Sequence, residues 1–163
     1  MPAIRIRPAE PADGAVILAL VRELAVYERE PLTSVEAREE DFRRDCFGPA
    51  RRCEVLIGEV DGRVQGFVMF FHNYSTWVGR AGVHVEDLFV RETARGLGLG
   101  RRLLASVAAI ALARGCRRLD LAVLDWNPAR KLYERLGFTP LSQWVPYRLA
   151  GEDIARLAAE ADN

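Results

Sequence analysis

The feature that most constrains this chain is a run of alternating glycines between a strand-like apolar segment and a helical one. It reads Arg95-Gly96-Leu97-Gly98-Leu99-Gly100-Arg101. Such glycines leave several backbone N–H groups unpaired at the helix start and present no Cβ that would keep a ligand away. The positive end of the helix dipole lies at the same place, so the run suits a bound pyrophosphate. The alternative is a flexible turn that only starts the helix.

Two other phosphate-binding loops can be tested against this run. A P-loop requires Gly-Lys-Ser/Thr, whereas Gly100 is followed by Arg101-Arg102, so the run is not a P-loop. A dinucleotide-binding G-x-G-x-x-G needs its third glycine at position 101 or 103, where arginine and leucine stand. Asp120 follows about 20 residues later, as a ribose-binding acid would, but it lies inside a predicted strand. Nicotinamide binding is therefore a poor alternative.

Hydrophobic periodicity along the chain predicts a mixed α/β sheet with flanking helices. Asp13 is expected to cap the first helix, and Thr33-Ser34-Val35-Glu36 fits a capping box for the second. The strand–helix–strand unit around residues 83–124 should be parallel and right-handed. The predicted strands are 4–7, 53–60, 64–72, 83–90, 119–124 and 140–149, and the predicted helices are 11–30, 34–46, 99–114, 128–136 and 152–160.

Composition restricts the function classes. The chain has 163 residues without a linker or repeat, which predicts a single domain over 1–163. Lys plus Arg and Asp plus Glu number 23 each, so no net charge favours nucleic acid or an acidic membrane. Three cysteines without metal-ligand spacing, and an N-terminus unlike a signal peptide, favour a reducing, cytoplasmic location and no bound metal.

Three motifs in the second half of the chain occur together in one known family. Arg95-x-x-Gly98-x-Gly100 has the form Q/R-x-x-G-x-G/A, and it is followed by Asp125-Trp126-Asn127 and by Leu132-Tyr133-Glu134-Arg135-Leu136-Gly137-Phe138. The combination resembles the Gcn5-related N-acetyltransferases (GNAT). This resemblance implies a mostly antiparallel mixed sheet with one parallel, splayed strand pair.

Further segments point to a branch of that family. They are Ile6-Arg7-Pro8-Ala9, Glu23-Leu24-Ala25-x-Tyr27-Glu28, Trp77-Val78-Gly79, Glu86-Asp87-Leu88-Phe89-Val90 and Trp126-Asn127. Together they resemble the diamine (spermidine/spermine) and thialysine N-acetyltransferases, and they span most of the chain. The resemblance implies transfer of an acetyl group from acetyl-CoA to a primary amine, in a homodimer.

The same resemblance implies where acetyl-CoA binds. Leu88, Phe89 and Val90 would offer backbone groups to the pantetheine arm. The amides of Arg95, Gly96, Leu97, Gly98, Leu99, Gly100 and Arg101 would bind the pyrophosphate. Asn127 would contact the cofactor, and Tyr133 would lie beside its sulfur.

Two positions depart from the family pattern. Asn127 and Tyr133 are six residues apart, whereas the family usually has seven. The polyamine enzymes carry an acidic residue two positions before the tryptophan that matches Trp77, and here that position is Ser75. The loss of one anionic contact favours an amine smaller than a polyamine.

The chemistry of amine acetylation requires a base and an acid. An alkylammonium with a pKa of about 10 must lose a proton before it attacks a thioester, and the leaving thiolate must gain one. Glu86 is the candidate base, directly or through water, with His84 on the same strand face as a possible relay. Tyr133 is the candidate acid. Tyr27, Glu28, Trp77 and Asp87 are expected to form, with Glu86, an anionic and partly aromatic pocket for the substrate.

Each of these residues also has a purely structural explanation, and other functions stay open. Glu86-Asp87 fits a solvated pair at a strand edge, Glu28 an exposed helix-end charge, and Tyr133 a core residue that packs on Phe138. Cys116 lacks a positioned base, so direct transfer is favoured over an acyl-cysteine route. The alternative substrates are an aminoglycoside, another amino acid or a protein lysine. The alternative from another class is a domain that binds acetyl-CoA without transferring the acetyl group.

Overall fold

The computed structural model describes residues 1–161 of the chain. It divides into two compact units, Met1–Asn127 and a second that starts at Pro128. One domain over the whole chain stays a prediction. The strands are β1 (Ile4–Pro8), β2 (Glu54–Val60), β3 (Arg63–Ser75), β4 (Arg80–Val90) and β5 (Leu119–Leu121), and the helices are α1 (Gly14–Tyr27), α2 (Glu39–Phe47), α3 (Leu99–Ala113), α4 (Arg130–Arg135) and α5 (Glu152–Ala158).

The first unit is built on one sheet with the strand order β1-β2-β3-β4-β5. Strands β1 to β4 pair antiparallel, and β5 pairs parallel to β4 through Val83↔Leu119, His84↔Asp120 and Val85↔Leu121. The crossover between β4 and β5 contains α3, as a parallel connection requires. The predicted mixed sheet with one parallel pair is therefore confirmed.

The two faces of the sheet are covered by different helices. Alternating residues of β2 and β3 bury Ile57 and Phe67 against Ile17, Leu20 and Leu24 of α1 and Phe42 and Cys46 of α2. Side chains at these positions recur every two residues in the strands and every three or four in the helices. Each buried side chain of this size contributes about 1.5–3 kcal/mol of transfer free energy.

Helix α3 packs closely on the sheet. It buries Leu99, Leu103, Leu104, Val107 and Ala111. At Gly58 of β2 an added Cβ would lie 2.8 Å from Leu99 Cδ1, so glycine is needed where the helix start approaches the sheet. This contact places the first turn of α3, and the glycine run before it, over the sheet.

Two arginines tie α1 to the strands. Arg91, which follows β4, donates to Glu23 of α1 (2.7 and 2.9 Å) and to the Val64 carbonyl. Arg7 of β1 donates to both oxygens of Asp13 (2.7 and 2.9 Å). Asp13 makes no side-chain cap to α1 itself. Its carboxylate accepts the Glu10 amide at 2.7 Å in the capping box of the 3₁₀ turn Pro11–Asp13, so the predicted cap serves the turn that precedes α1.

The second helix begins later than its sequence pattern predicts. Leu32–Ser34 forms a 3₁₀ turn, and α2 starts at Glu39, where Asp41 accepts the Arg38 amide at 2.8 Å. The capping box predicted at residues 33–36 is therefore wrong. The Asp41 carboxylate satisfies the donor at the real start, and acidic residues fill that first turn.

The second unit contains α4 and α5. Helix α4 ends at Gly137 in a left-handed conformation (φ 94°), with Phe138 N–H bonded to the Tyr133 carbonyl at 3.0 Å. This confirms the predicted glycine cap. Residues 140–149 form no strand, contrary to the prediction, and their apolar side chains are exposed. No helix within residues 1–161 is long and apolar enough to cross a membrane.

Candidate active site

Pairing between β4 and β5 stops well before β4 ends. The last parallel pair is Val85↔Leu121, whereas β4 continues to Val90. Within residues 1–161, the segment 86–90 therefore has no strand partner on the β5 side. This is the segment that the resemblance assigns to the pantetheine arm, and backbone groups here are available to a ligand that lies along the strand.

A β-bulge occurs at the point where the parallel pairing ends. Met69 pairs with Asp87 and Phe70 with Val85, so Glu86 is an extra residue on β4. A bulge redirects the side chains beside it and often adjoins an active site. The Glu86 carboxylate is exposed and lies 3.7 Å from His84 Nε2. The structure thus brings together the predicted base and the predicted relay.

The glycine run has the geometry of an anion-binding loop. Gly96 and Gly98 adopt left-handed conformations (φ 79° and 86°), with open space where a Cβ would lie. The first helical bond of α3 joins Arg102 N–H to the Gly98 carbonyl at 3.1 Å. The amides of Leu99, Gly100 and Arg101 consequently have no acceptor within the helix. These donors at the positive end of a 15-residue helix fit a pyrophosphate.

Arg95 anchors the start of this loop to the other site elements. Its Nε donates to the Val90 carbonyl at 3.0 Å. Its guanidinium lies 4.4 Å from the centre of the Tyr27 ring and 5.9 Å from that of Phe89. One side chain therefore connects the loop, the end of β4 and the end of α1.

Acidic side chains form the next part of the site. Burial raises the pKa of the Asp87 carboxyl to about 6, with further contributions from the charges of Glu86 and Glu28. Burial, and then the charge of Glu30, also raises the pKa of Glu28. Carboxylates that repel one another in a partly desolvated site favour a bound cation. The three acids are thus suited to an alkylammonium group.

An aromatic cluster lies beside these acids. Tyr27 contacts Phe89 (ring centres 6.2 Å apart) and Trp126 (6.0 Å), and its hydroxyl donates to Asn127 Oδ1 at 3.4 Å. Asn127 is buried. The first unit therefore gathers Tyr27, Phe89 and Asn127, which were predicted from the sequence.

Two predicted site residues are not among those that the first unit gathers. Trp77 is 89% exposed at the tip of the β3–β4 hairpin. The eight residues from Arg80 to Asp87 span about 23 Å at strand geometry, so Trp77 and Asp87 do not meet within residues 1–161. Tyr133 belongs to the second unit, where it is buried and packs edge-on against Phe138 (5.8 Å).

Sequence reasoning assigned no role to two residues that flank this site. The Trp126 ring packs on Tyr27, and the Arg29 guanidinium lies 4.1 Å from its centre. Trp126 was noticed only as part of a motif, and Arg29 follows α1 without any motif. An arginine directly after the predicted Tyr27–Glu28 pair was the one available signal.

No group of three or more His, Cys, Asp or Glu side chains is placed to hold a metal ion within residues 1–161. Cys46 and Cys53 are free thiols whose sulfurs lie 3.3 Å apart between α2 and β2. Cys116 is a buried free thiol. None of these cysteines is among the residues gathered at the site.

Comparison with known proteins agrees with this geometry. Residues 18–138 match the model of the acetyltransferase (GNAT) family. The chain is 40% identical to the thialysine N-epsilon-acetyltransferase of Bos taurus, over 96% of this chain and 98% of that protein. It is 32% identical to a human spermidine/spermine N(1)-acetyltransferase-like protein, over 96% of this chain and 24% of that one.

The fold is similar to a solved structure as well. An integron cassette protein from the mobile metagenome of V. cholerae superposes with a TM-score of 0.77 at 25% identity, covering 95% of this chain and 97% of that one. The mostly antiparallel sheet with its parallel β4–β5 pair is the one that the family resemblance implied. The chain belongs to the GNAT family of acetyltransferases.

Proposed function

We propose that the protein transfers an acetyl group from acetyl-CoA to the primary amine of a small substrate, either a thialysine-like amino acid or a polyamine. The observation that carries the proposal is the placement of three carboxylates, Glu28, Glu86 and Asp87, around the segment where β4 loses its parallel partner. The glycine run of residues 95–101, which is suited to binding an anion, follows shortly after this segment in the chain. The site can thus hold an anionic cofactor and a cationic acceptor next to each other.

The residues of this chain fit acetyl-CoA, which would supply the activated acetyl thioester. The left-handed glycines and the free amides at the start of α3 would bind its pyrophosphate. The backbone of Leu88, Phe89 and Val90 would bind the pantetheine arm, and Asn127 is proposed as a further contact. Arg95 fixes the spacing between these two parts, because it holds the Val90 carbonyl at 3.0 Å.

Glu86 is proposed to remove the proton from the acceptor ammonium. The freed amine nitrogen would then form a bond to the acetyl carbon as the carbon–sulfur bond breaks. Nitrogen loses its second proton in this step, and that proton balances the one that Tyr133 gives to the leaving thiolate. Glu86 is exposed at the bulge and lies 3.7 Å from His84, which provides a route for the proton toward solvent. Direct transfer needs no cysteine nucleophile.

Tyr133 is proposed to supply the proton that the departing thiolate requires. A phenol with a reference pKa of about 10 keeps its proton at neutral pH and still donates a hydrogen bond. This role comes from the family resemblance, in which tyrosine occupies the matching position of the Leu132-Tyr133-Glu134 segment.

The proposal is tested by thiol release from acetyl-CoA with thialysine, lysine, ornithine, spermidine, putrescine, an aminoglycoside and a lysine peptide. We expect turnover with one or two small amines. Glu86→Gln should lower kcat/KM about 100-fold at pH 7 and should leave acetyl-CoA affinity within about twofold. Glu40→Gln, an exposed carboxylate of α2, is the matched control and should behave like the wild type.

Two outcomes of this experiment would contradict the proposal. Full activity of Glu86→Gln would remove Glu86 as the base. Tight acetyl-CoA binding with no thiol release across the amine panel would instead favour a domain that binds the cofactor without transferring the acetyl group.

We also propose a cytoplasmic location, because the three cysteines follow neither a disulfide nor a metal-ligand pattern, and, from the resemblance alone, a homodimer. Light scattering on a sizing column should give a mass of about twice the 18.3 kDa of one chain. A mass near that of a single chain at micromolar concentration would contradict the assembly.

A further inference from the structure

Helix α1 ends in an arginine at a position that usually belongs to glycine. Arg29 is left-handed (φ 65°), its N–H bonds to the Val26 carbonyl (3.1 Å), and Glu30 N–H bonds to the Ala25 carbonyl (2.9 Å). This is the hydrogen-bond pattern of a Schellman motif, in which glycine avoids the strain that other residues incur. Arg29 therefore holds this position at a free-energy cost.

Two other helices, α3 and α4, show the ordinary solution. Helix α3 ends with Gly115 (φ 70°), where Cys116 N–H bonds to the Ala111 carbonyl at 2.9 Å. Helix α4 ends with Gly137 in the same arrangement. The same motif thus carries glycine twice and arginine once. The exception lies at the candidate site, where backbone strain is commonly retained for function.

The Arg29 side chain is placed on the aromatic wall of the site. Its guanidinium carbon lies 4.1 Å from the centre of the Trp126 ring, which packs on Tyr27. Stacking on an indole holds a guanidinium while leaving its N–H donors at the edge free. Within residues 1–161 no carboxylate forms an ion pair with Arg29, although Glu28 and Glu30 are its neighbours in sequence.

A cation held on the aromatic wall of the site changes which acceptor suits the site. Glu28 directly precedes Arg29 in the chain, and the negative charge of Glu28 contributes to the raised pKa of Asp87. The acids favour an ammonium group, whereas a guanidinium favours a carboxylate in a paired, two-bond geometry. A polyamine has only ammonium groups and would be repelled by Arg29. An amino acid with a side-chain amine carries both charges.

Ser75 offers a polyamine nothing in place of the acid found in the polyamine enzymes. Its side chain is buried, and its Oγ accepts the Val78 amide at 3.3 Å within the hairpin turn. The position therefore serves the turn and contributes no negative charge. The protein charge that would distinguish an amino acid from a polyamine is that of Arg29, which follows the end of α1.

We infer that the acceptor is a free amino acid with a side-chain primary amine, and that Arg29 binds its α-carboxylate while the side-chain amine is directed toward Glu86. Arg29 is then the residue that determines specificity for amino acids over polyamines. The inference rests on the proposed acetyltransferase function and specifies its substrate class.

The test compares thialysine with bis(2-aminoethyl) sulfide, which is the same molecule without the carboxylate. Arg29→Gly should lower kcat/KM for thialysine about tenfold or more and leave that for the diamine within about threefold. Its melting temperature should equal or exceed that of the wild type, because glycine suits the motif. Arg29→Lys should retain part of the preference, since it keeps the charge without the paired geometry. Arg63→Gln, in the β2–β3 hairpin, is the matched control.

The outcomes separate this inference from the proposed function. Equal losses for both substrates, or no loss for either, would overturn the role of Arg29. A wild-type enzyme that acetylates the diamine or spermidine better than thialysine would overturn the substrate class while leaving acetyl transfer in place. If the wild type released no thiol from acetyl-CoA with any of the amines, both the substrate class and the proposed acetyl transfer would be overturned.

Discussion

Asp87 is a carboxylate in a place that disfavours its own charge. It is partly buried in β4, next to Glu86 and within reach of the charge of Glu28. Removal from water and repulsion by like charges both favour its protonated form. A bound ammonium group would reverse this balance. On the proposed function, Asp87 lowers the stability of the free protein and raises its affinity for a cationic acceptor.

Replacing Asp87 by Asn should stabilise the protein and weaken its function. The pKa of about 6 in the folded protein lies above that of the unfolded chain, so ionised Asp87 opposes folding. We expect Asp87→Asn to raise the free energy of unfolding by about 1–2 kcal/mol at pH 8, because the site is only partly desolvated. The gain should disappear as the pH falls from about 6 to about 4. Urea denaturation at pH 8 and pH 4 measures this difference.

The same change should raise the KM for the amine about tenfold at pH 8. In the wild type, KM should rise as the pH falls below about 6, because Asp87 then loses its charge. An Asp87→Asn variant that is less stable than the wild type at pH 8 would contradict the electrostatic argument.

At the scale of elements, the first turn of α3 carries the cofactor proposal. Gly98 precedes the helix in a left-handed conformation (φ 86°), and its carbonyl accepts the first helical bond. The loop amides point to a common anion only if this conformation is kept. A side chain has space there, so the backbone angle alone requires glycine.

Gly98→Ala should therefore impair acetyl-CoA binding. We expect a loss of about 1 kcal/mol in stability and about a tenfold rise in the KM for acetyl-CoA. Gly62→Ala is the matched control, because Gly62 is also left-handed (φ 75°) with open space, but lies in the β2–β3 turn. It should lose similar stability without a change in KM. Equal KM values in the two variants would show that the loop does not bind the cofactor.

At the scale of the whole molecule, the proposed acid can be tested separately from the proposed base. Glu86 and the glycine run belong to the first unit, and Tyr133 belongs to the second. Within its own unit Tyr133 contacts Phe138 through its ring, so its hydroxyl can be removed with little change to that contact. The tyrosine hydroxyl is therefore a direct test of whether the second unit takes part in catalysis.

Tyr133→Phe should bind acetyl-CoA normally and lower turnover at least tenfold. Isothermal titration gives the affinity, and thiol release gives kcat. Tyr147→Phe is the control, because Tyr147 is 95% exposed in the same unit. Unchanged turnover in Tyr133→Phe would show that Tyr133 is not the acid. Solvent would then supply the proton to the leaving thiolate.

Much of the candidate site could be predicted from the sequence, because residues that are adjacent in the chain determine its conformation. The glycine run needs glycine for its backbone angles, and those residues are adjacent in the chain. Glu86 and Asp87 were identified from one short motif. Trp77 shows the limit of that approach, because motif membership suggested a place in the pocket, and the length of the β3–β4 hairpin places it at the tip.

The sequence by itself determined the order of strands and helices as far as α4, the α/β class and the conformation of the glycine run, because each depends on contacts or backbone angles within a few residues. Only the tertiary structure decided that Glu86 is the extra residue of a bulge, that Asp13 bonds to Arg7 and not to its helix, and that Arg29 lies on Trp126. These depend on strand register and on packing between distant segments. Apolar patterns in a single sequence indicate which face is buried, but not which partner covers it.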